Sequence, residues 1–314
     1  MTRSSRSETS PRTTSKSLTI GDEAKNDSQG ITSFTRASAV SKRIVSGFCD
    51  VDRSDNPGSY LTYVNRINAH ELSRFGKRQL FKRILRPRTG EHILDIGCGA
   101  GHDAHALARL VGRRGHVVGI DRSKTMIRAA QRRIQGQKCA VEFRVCDAHH
   151  LTFPDNTFDA CLAIGTLMFM ENPSQVLTEV IRVLKPGGRL TVLESDWDSL
   201  AITAGNSAMT DTVVKIIQKS VCHSGIGHQL PVLFWRTGFE DIGVEACPLT
   251  LSDYALANEG WRIEATLDEA HKAGVLSSFY NRRLLHQLKL ASESGKFFGA
   301  CTGFAVAGIK PRVH

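Results

Sequence analysis

The stretch from His92 to Gly101, HILDIGCGAG, constrains the fold more than any other part of the chain. Apolar and β-branched residues run directly into a cluster of glycines, and a segment with helical periodicity follows. Glycine allows positive φ and close approach to a ligand, and the start of a helix offers unpaired N–H groups. The stretch therefore predicts a strand, a ligand-binding turn and a helix whose apolar face is formed by Ala104, Leu107, Ala108 and Val111.

The spacing of the glycines argues against a dinucleotide site. The dinucleotide fingerprint is G-x-G-x-x-G. Gly97, Gly99 and Gly101 instead form G-x-G-x-G, and His102 stands where the last glycine of the fingerprint would fall. A nicotinamide oxidoreductase is therefore disfavoured, while an ordinary glycine turn in an α/β protein stays an alternative.

Acidic residues end the two strands that are predicted next. Residues 117–121 form a predicted strand that ends in Asp121, and a carboxylate there can accept both ribose hydroxyls of an adenosine ligand. Ser123 is the expected N-cap of the following helix. A third alternating strand ends at Asp147, which can accept a hydrogen bond from an adenine amino group.

Strands and helices alternate as far as Asp196, which predicts a mostly parallel sheet with helices on both faces. In such sheets, ligands bind at the carboxyl ends of the strands. The residues predicted to meet at those ends are Asp95, Gly97, Gly99, Asp121, Asp147 and Ile164.

Four successive segments resemble the class I S-adenosylmethionine-dependent methyltransferases: LDIGCGAG, VVGIDRSKTMI, VCDAHHLTFPDNTFDA and VLKPGGRLTVLESDW. The chain is most similar to the small-molecule, ubiquinone/menaquinone-methylase-like branch, which GHQLPVLFWRTGFEDIGVE and GKFFGACTGFAVAGIKP also resemble. The resemblance implies a Rossmann-like α/β fold. Its seven-stranded, mostly parallel sheet would have the order 3-2-1-4-5-7-6, with strand seven antiparallel.

The resemblance also implies S-adenosyl-L-methionine as the cofactor. The residues expected to bind it are Asp95, Gly97, Cys98, Gly99, Gly101, Asp121, Arg122, Met126, Asp147, Ala148, Ile164 and Tyr63.

A helical lid is expected from two segments. Residues 58–86 would form N-terminal helices over the cofactor, and an insert at 253–291, between strands six and seven, would complete the substrate cover. Core packing of both Tyr60 and Tyr63 stays an alternative to a lid role. The residues expected to contact substrate are Tyr60, Gly165, Phe169, Asp196 and Trp197.

Two histidines are candidates for a general base, His149 and His228. Methyl transfer from a sulfonium is a direct displacement with a neutral leaving group, so a base is needed only when the nucleophile arrives protonated. A surface turn is the alternative for His149. For Glu194, substrate contact and a purely structural role both stay open.

The segment after strand four departs from the family pattern. Relatives often carry a charged pair and then a histidine there, whereas this chain has Ile164, Gly165 and Phe169. The apolar wall predicts a hydrophobic or aromatic acceptor, with N- or C-methylation favoured over O-methylation, in secondary or quinone-type metabolism.

The net charge of +10 favours anionic partners in principle. The basic residues are dispersed and no RNA-binding module accompanies them, so nucleic acid is not the expected partner. Methylation of RNA or protein by way of the basic surface stays the alternative function.

The eight cysteines include no C-x-x-C pair, which is typical of a reduced protein without structural zinc. His102 and His105 lack a third ligand, so no metal is expected. No apolar run has the length of a membrane span, and the expected location is the cytoplasm.

Residues 1–43 are rich in Ser, Thr and Arg and hold few large apolar residues, which predicts a disordered tail before a methyltransferase domain at 44–314. An organellar targeting segment is the alternative for the tail. The acidic residues Asp22, Glu23 and Asp27 weaken that alternative.

Overall fold

A seven-stranded sheet organises the residues described by the computed structural model, which are 46–312, without the side chains of residues 71, 72, 74 and 75. The predictions for residues 1–43 lie outside this range and stay predictions.

The strand order is β3-β2-β1-β4-β5-β7-β6. Strands β1 to β5 pair in parallel, and β7 runs antiparallel to both β5 and β6. The predicted Rossmann-like fold and strand order are therefore confirmed. The strands are β1 His92–Ile96, β2 His116–Asp121, β3 Val141–Val145, β4 Phe158–Ile164, β5 Leu184–Thr203, β6 Glu240–Leu251 and β7 Phe298–Ile309.

Helices connect the strands and occupy both segments where a lid was predicted. A π-helical turn at Phe81–Leu85 follows the second helix. Within the described residues the α-helices are α1 Pro57–Ala69, α2 Glu71–Leu80, α3 His102–Val111, α4 Lys124–Ile134, α5 Pro173–Val183, α6 Ser207–Lys219, α7 Ile226–Thr237, α8 Tyr254–Trp261, α9 Ile263–Lys272 and α10 Ser278–Glu293.

Local sequence signals explain the helices next to the glycine loop. The four residues predicted to form the apolar face of α3 are all buried, and full burial of a side chain such as Leu107 contributes about 1.5–3 kcal/mol. The Ser123 side chain accepts a hydrogen bond from the Met126 N–H, as expected of an N-cap.

The turn formed by Pro186, Gly187 and Gly188 lies within the irregular start of β5. Leu184 already pairs with Phe158, the register shifts, and pairing resumes at Arg189 opposite Ala160. Gly187 adopts φ +77 between these pairs. The turn is thus built into an irregular strand rather than placed before it.

The N-terminal strap, residues 46–56, contains two 3₁₀ turns at Gly47–Cys49 and Val51–Arg53. The backbone N–H of Ser46 donates to the Ser220 carbonyl over 3.1 Å. The Asp52 carboxylate accepts from the backbone N–H of Lys124 over 2.7 Å. The strap is therefore tied both to the chain after α6 and to the start of α4.

No helix among residues 46–312 is both long enough and apolar enough to cross a membrane.

Candidate active site

A cavity of about 610 Å³ lies at the carboxyl ends of the parallel strands. Its loop end is lined by residues at or just after the ends of β1 to β4, and its insert end by residues from the strap, α1, β5, α8 and two loops. The loop end includes Gly97, Cys98, Gly99, Asp121, Arg122, Met126, Asp147, Ala148, His149 and Ile164. The insert end includes Phe48, Tyr63, Met168, Phe169, Trp197, Trp261 and Arg262.

The glycine loop presents its backbone to the cavity. Gly97 and Gly99 adopt φ +67 and +51, a region that favours glycine. A Cβ on Gly97 would lie 2.3 Å from the Thr166 side chain, whereas at Gly99 the nearest atom, Cγ1 of Val64, would be 3.7 Å away. Because Gly97 has no Cβ, the loop after β4 can pack against it. Because Gly99 has none, space is left beside the cavity.

Gly101 and Asp95 are not among the residues that line the cavity. A Cβ on Gly101, at φ +75, would lie 2.5 Å from the Phe143 ring and 2.8 Å from Ala130. Gly101 therefore permits α3 to pack closely on neighbouring elements. Asp95 is 3% exposed, and burial together with repulsion from Asp103 holds the pKa of its carboxyl well above the ordinary value. Both residues therefore lie behind the loop and outside the cavity lining.

Asp121 lines the cavity at the end of β2. One carboxylate oxygen accepts from the backbone N–H of Gly99 over 3.0 Å, and the other accepts from that of Ser123 over 2.8 Å. Burial raises the pKa of Asp121 although these hydrogen bonds oppose the rise. The carboxylate is thus held in a fixed orientation against the glycine loop.

His149 also lines the cavity, but both of its ring nitrogens are engaged. Nδ1 lies 2.7 Å from Oδ1 of Asp147, and Nε2 accepts from the backbone N–H of Asn172 over 3.3 Å. The backbone N–H of His149 donates to the same Asp147 oxygen. Despite desolvation, these bonds lower the pKa of Asp147. The ring therefore orients Asp147, and its Nε2 lone pair already accepts from Asn172.

His228 and Asp196 are not among the cavity-lining residues. His228 Nδ1 lies 2.6 Å from Oδ2 of buried Asp196, and its backbone N–H donates to the same oxygen. With Asp198 they form a group whose possible metal-ligand atoms all lie within 4.8 Å of one another. Neighbouring residues alternate in direction along a strand, so Trp197 faces the cavity while Asp196 does not. The predicted base His228 and substrate residue Asp196 are thus separated from the cavity.

His102 was considered as a metal ligand in the sequence, but no third ligand was found. In the structure its ring contacts protein groups. Its Nε2 lies 2.7 Å from an Arg133 nitrogen and 2.9 Å from the Asn65 side-chain oxygen. Burial and the nearby Arg133 charge lower the pKa of His102 to about 4. The ring is therefore neutral and positions α4 against α1.

The two candidate lid tyrosines have different positions. Tyr63 lines the cavity and donates to the Gly260 carbonyl over 2.9 Å, which ties α1 to α8. Tyr60 is 5% exposed, does not line the cavity and donates to Oε1 of Glu269 over 2.7 Å. Tyr60 thus corresponds to the core-packing alternative.

The apolar wall after β4 is held by a buried carboxylate. Phe169 and Gly165 line the cavity, and the Phe169 ring centroid is 5.2 Å from that of Phe48. Oε1 of Glu194 accepts from the backbone N–H groups of Thr166 and Leu167 over 2.8 and 2.7 Å. Burial raises the pKa of Glu194 to about 7. Glu194 therefore fixes the turn that carries Phe169.

Sequence reasoning missed Phe48, Trp261 and Arg262 as cavity residues. Phe48 follows the segment assigned to the tail, and the other two lie in the insert without a recognisable motif. The Arg262 guanidinium lies 4.5 to 5.3 Å from the ring centroids of Phe48, Tyr60 and Tyr63. Only the fold brings these segments together, so no local signal could have identified the group.

Comparison with known proteins agrees with the fold and the glycine loop. A family model described as "Methyltransferase domain" matches residues 87–234. A demethylmenaquinone methyltransferase of Lactiplantibacillus plantarum is 42% identical over 196 residues, which cover 57% of this chain and 82% of that protein. An uncharacterized 37.1 kDa protein of transposon TN4556 from Streptomyces fradiae is 32% identical over 247 residues, 78% of this chain and 70% of that protein.

Solved structures share the fold. A phosphoethanolamine N-methyltransferase of Haemonchus contortus superimposes with a TM-score of 0.54 at 22% identity, covering 87% of this chain and 61% of that one. A putative methyltransferase of Bacillus halodurans gives 0.51 at 22% identity, with 81% and 100% coverage. The chain belongs to the class I S-adenosylmethionine-dependent methyltransferases, in the ubiquinone/menaquinone-methylase-like branch. The predicted family and cofactor are thereby confirmed.

Proposed function

We propose that this enzyme transfers the methyl group of S-adenosylmethionine to a hydrophobic or aromatic small molecule. N- or C-methylation is favoured over O-methylation, and the setting is secondary or quinone-type metabolism. The observation that carries the proposal is the cavity itself, in which the glycine loop and Asp121 lie at one end and an apolar, aromatic surface at the other.

The loop end suits the cofactor. S-Adenosylmethionine supplies an activated methyl group on a sulfonium. Gly99 leaves space where a Cβ would stand, and Asp121 presents a carboxylate at the end of β2, where ribose hydroxyls can donate to it. Asp147, oriented by His149, is the residue proposed to accept from the adenine amino group. Asp95 and Gly101 have supporting roles in this proposal, because they form the frame of the loop.

The insert end suits an apolar acceptor. Phe169, Trp197 and Trp261 line it, and burying aromatic surface there both binds the acceptor and excludes water from the reacting atoms. Displacement at the methyl carbon then depends mainly on alignment. Both ring nitrogens of His149 are engaged, so an amine or an electron-rich carbon, which needs little general-base help, is the preferred nucleophile.

The names of similar proteins support both preferred atoms. One relative is a ubiquinone/menaquinone biosynthesis C-methyltransferase of Hydrogenovibrio crunogenus, 36% identical over 131 residues that cover 52% of that protein. Another is a phosphoethanolamine N-methyltransferase of Triticum aestivum, 38% identical over 117 residues that cover 22% of it. The matched segments cover about half or less of these two proteins, so the methyl acceptors in their names support the proposed reaction class and do not identify the acceptor of this chain.

A role in methylating RNA or protein is less well supported, because several arginines are engaged within the fold. Arg182 pairs with Glu179 and Asp155, and Arg189 pairs with Glu91. The dependence on salt distinguishes the two functions, since binding to the many phosphates of a nucleic acid weakens steeply with ionic strength, whereas turnover of a small-molecule acceptor should respond weakly.

The first experiment is calorimetric titration with S-adenosylmethionine and S-adenosylhomocysteine, with NADH as control. Wild type and Asp121→Ala are compared, and we expect binding of the first two ligands alone, weakened by the substitution. Failure of wild type to bind either ligand would contradict the assignment of the loop end.

The second experiment places a charge in the apolar wall. Phe169→Asp is expected to abolish methyl transfer to hydrophobic amines, phenols and indoles while cofactor affinity stays within about twofold, because Phe169 belongs to the insert end. Phe279→Asp is the matched control, since Phe279 is 66% exposed. Equal loss of cofactor binding and turnover in Phe169→Asp would contradict an acceptor role for this wall.

A further inference from the structure

Arg262 has an unusual environment for a charged residue. It connects α8 to α9 in the left-handed conformation, with φ 53 and ψ 37. For a residue other than glycine this conformation costs about 1–3 kcal/mol, and such outliers often mark functional positions. The side chain is 12% exposed and lines the insert end of the cavity.

The charge of Arg262 is held on two sides. Nη2 donates to Oε1 of Glu269 over 2.9 Å. The guanidinium carbon also lies 4.5 Å from the Tyr60 ring centroid, 5.1 Å from that of Phe48 and 5.3 Å from that of Tyr63. Distances below about 6 Å give favourable cation–π interactions. These contacts fix the guanidinium in place beside the cavity.

The hydrogen-bonding capacity of the guanidinium is largely unused. It carries five N–H donors in a planar fork that matches a carboxylate. Within residues 46–312, its hydrogen-bond partners are Oε1 of Glu269 and the Tyr60 hydroxyl. A negatively charged acceptor would stabilise a nearly buried guanidinium with unused donors more than a neutral one, because charge-assisted hydrogen bonds are stronger than neutral hydrogen bonds.

The position of Arg262 indicates that a negatively charged group bound there would belong to the methyl acceptor rather than to the cofactor. Its neighbour Phe48 lies 5.2 Å from Phe169, in the apolar wall, and the adjacent Trp261 lines the same end. A ligand here would meet aromatic rings and the Arg262 guanidinium, while the Glu259 carboxylate that also lines the cavity is paired with Arg66. That combination suits an aromatic molecule with one anionic oxygen.

We propose that Arg262 determines acceptor specificity by binding an anionic oxygen, a carboxylate or a phenolate, on an aromatic methyl acceptor. This inference rests on the proposed function and narrows its substrate class. Glu269 and Tyr60 act as positioning residues, because they hold the guanidinium without lining the cavity.

The test uses two probes of nearly equal shape, 2-naphthoate and 2-naphthamide, with the enzyme saturated with S-adenosylhomocysteine. Quenching of tryptophan fluorescence reports binding, because Trp197 and Trp261 line the cavity while Trp235 is 71% exposed. We expect wild type to bind the anion about tenfold or more tightly than the amide. Equal affinities would overturn the proposal without any variant being needed.

Three variants test whether Arg262 is the residue that produces the preference for the anion. Arg262→Met is expected to remove the preference for the anion and leave amide binding within twofold, and Arg262→Lys is expected to restore part of the preference. Arg83→Met is the matched control, since Arg83 is 63% exposed, pairs with Glu245, and neither residue lines the cavity.

The remaining outcomes are also decisive. If Arg262→Met instead loses affinity for S-adenosylhomocysteine, the guanidinium binds the cofactor carboxylate and the proposal fails while the proposed function stands. If neither probe binds wild type that does bind S-adenosylhomocysteine, the aromatic acceptor site itself is wrong and both proposals fail.

Discussion

The Tyr60 hydroxyl donates to Oε1 of Glu269 over 2.7 Å, and so joins residues 209 positions apart in the sequence. Arg262 donates to the same oxygen, so a single carboxylate oxygen of α9 links α1 to the α8–α9 junction. Closure of the insert end therefore depends on a hydrogen-bond network as well as on apolar packing.

Tyr60→Phe tests this link. Removing the hydroxyl is expected to lower the free energy of unfolding by about 1 kcal/mol, because a partly buried acceptor loses a donor. It is also expected to raise the KM for the acceptor, since Arg262 loses part of its support. Chemical denaturation and steady-state kinetics measure the two effects.

Tyr280→Phe is the control for that variant, because the Tyr280 hydroxyl has no hydrogen-bond partner among the described residues. An unchanged KM and unfolding free energy in Tyr60→Phe would refute the role assigned to the network.

Gly101→Ala tests whether this glycine supports the fold. A methyl group there would lie 2.5 Å from the Phe143 ring, at a φ of +75 that disfavours alanine. We expect a loss of about 1–3 kcal/mol in unfolding free energy. Because Gly101 is outside the cavity lining, cofactor affinity of the folded protein should change little. Thermal or denaturant unfolding and calorimetry measure these quantities.

Gly76→Ala provides the opposite expectation for the same substitution. Gly76 lies in α2 and an added Cβ would meet nothing within 4 Å, so alanine should stabilise the helix by about 0.5–1 kcal/mol. Similar effects of both substitutions would mean that close packing is not what selects glycine at position 101.

Glu194→Gln tests the buried acid that lines the cavity and holds the turn of the apolar wall. Burial raises the pKa of Glu194 from 4.5 to about 7 in the folded protein. The native state then holds more protons than the unfolded state between these values, so this group's contribution to stability falls as pH rises from 4.5 to 7. Glutamine keeps an acceptor for the Thr166 and Leu167 N–H groups without titrating.

The measured quantity is the difference in unfolding free energy between Glu194→Gln and wild type at several pH values. We expect it to shift in favour of the variant by up to about 3 kcal/mol between pH 4.5 and 7.5. A difference independent of pH would show that the carboxyl is not held in its neutral form.

Asp52→Ala tests the connection of the strap to α4. The Asp52 carboxylate accepts from the Ser123 hydroxyl and from the backbone N–H groups of Lys124 and Thr125. Desolvation opposes these bonds, but they lower the pKa of Asp52. Its contribution is therefore present above the ordinary pKa of 3.8 and lost as pH falls through the lowered value. We expect a loss of about 1 kcal/mol at pH 7, as for other helix caps.

Denaturation at pH 7 and pH 3 should show that the cost of Asp52→Ala shrinks in acid. Asp50→Ala is the control, because its ion pairs with Arg53 and Arg122 are 3.6 and 3.8 Å long and involve largely exposed arginines, and such pairs contribute little. If Asp50→Ala lowers the free energy of unfolding as much as Asp52→Ala does, loss of a negative charge in general, and not loss of the helix cap, would account for the result.

The sequence alone predicted the sheet and most of the loop end, because these depend on short segments. Apolar runs that end in glycine or an acid identify β1 to β4, and the parallel arrangement brings Gly97, Gly99, Asp121 and Asp147 to one edge. Those residues are close in space because each directly follows a strand, so their positions are fixed once the strand order is known.

The tertiary structure alone decided which polar residues face the cavity. Asp196 and Trp197 are neighbours in sequence but point to opposite sides of a strand, and His228 joins the side away from the cavity. Gly101 and Asp95 belong to the same motif as Gly99 yet lie behind the loop. Motif membership does not specify the direction of a side chain.

The insert end was beyond the reach of sequence reasoning for a further reason. Phe48, Tyr60 and Arg262 come from segments separated by up to about two hundred residues, and each alone is an ordinary aromatic or basic residue. Together they form a cation–π cluster, and this cluster exists only after the strap, α1 and the insert pack together. The sequence determined the methyltransferase frame, whereas the folded arrangement of distant segments decided the shape and charge of the insert end of the cavity.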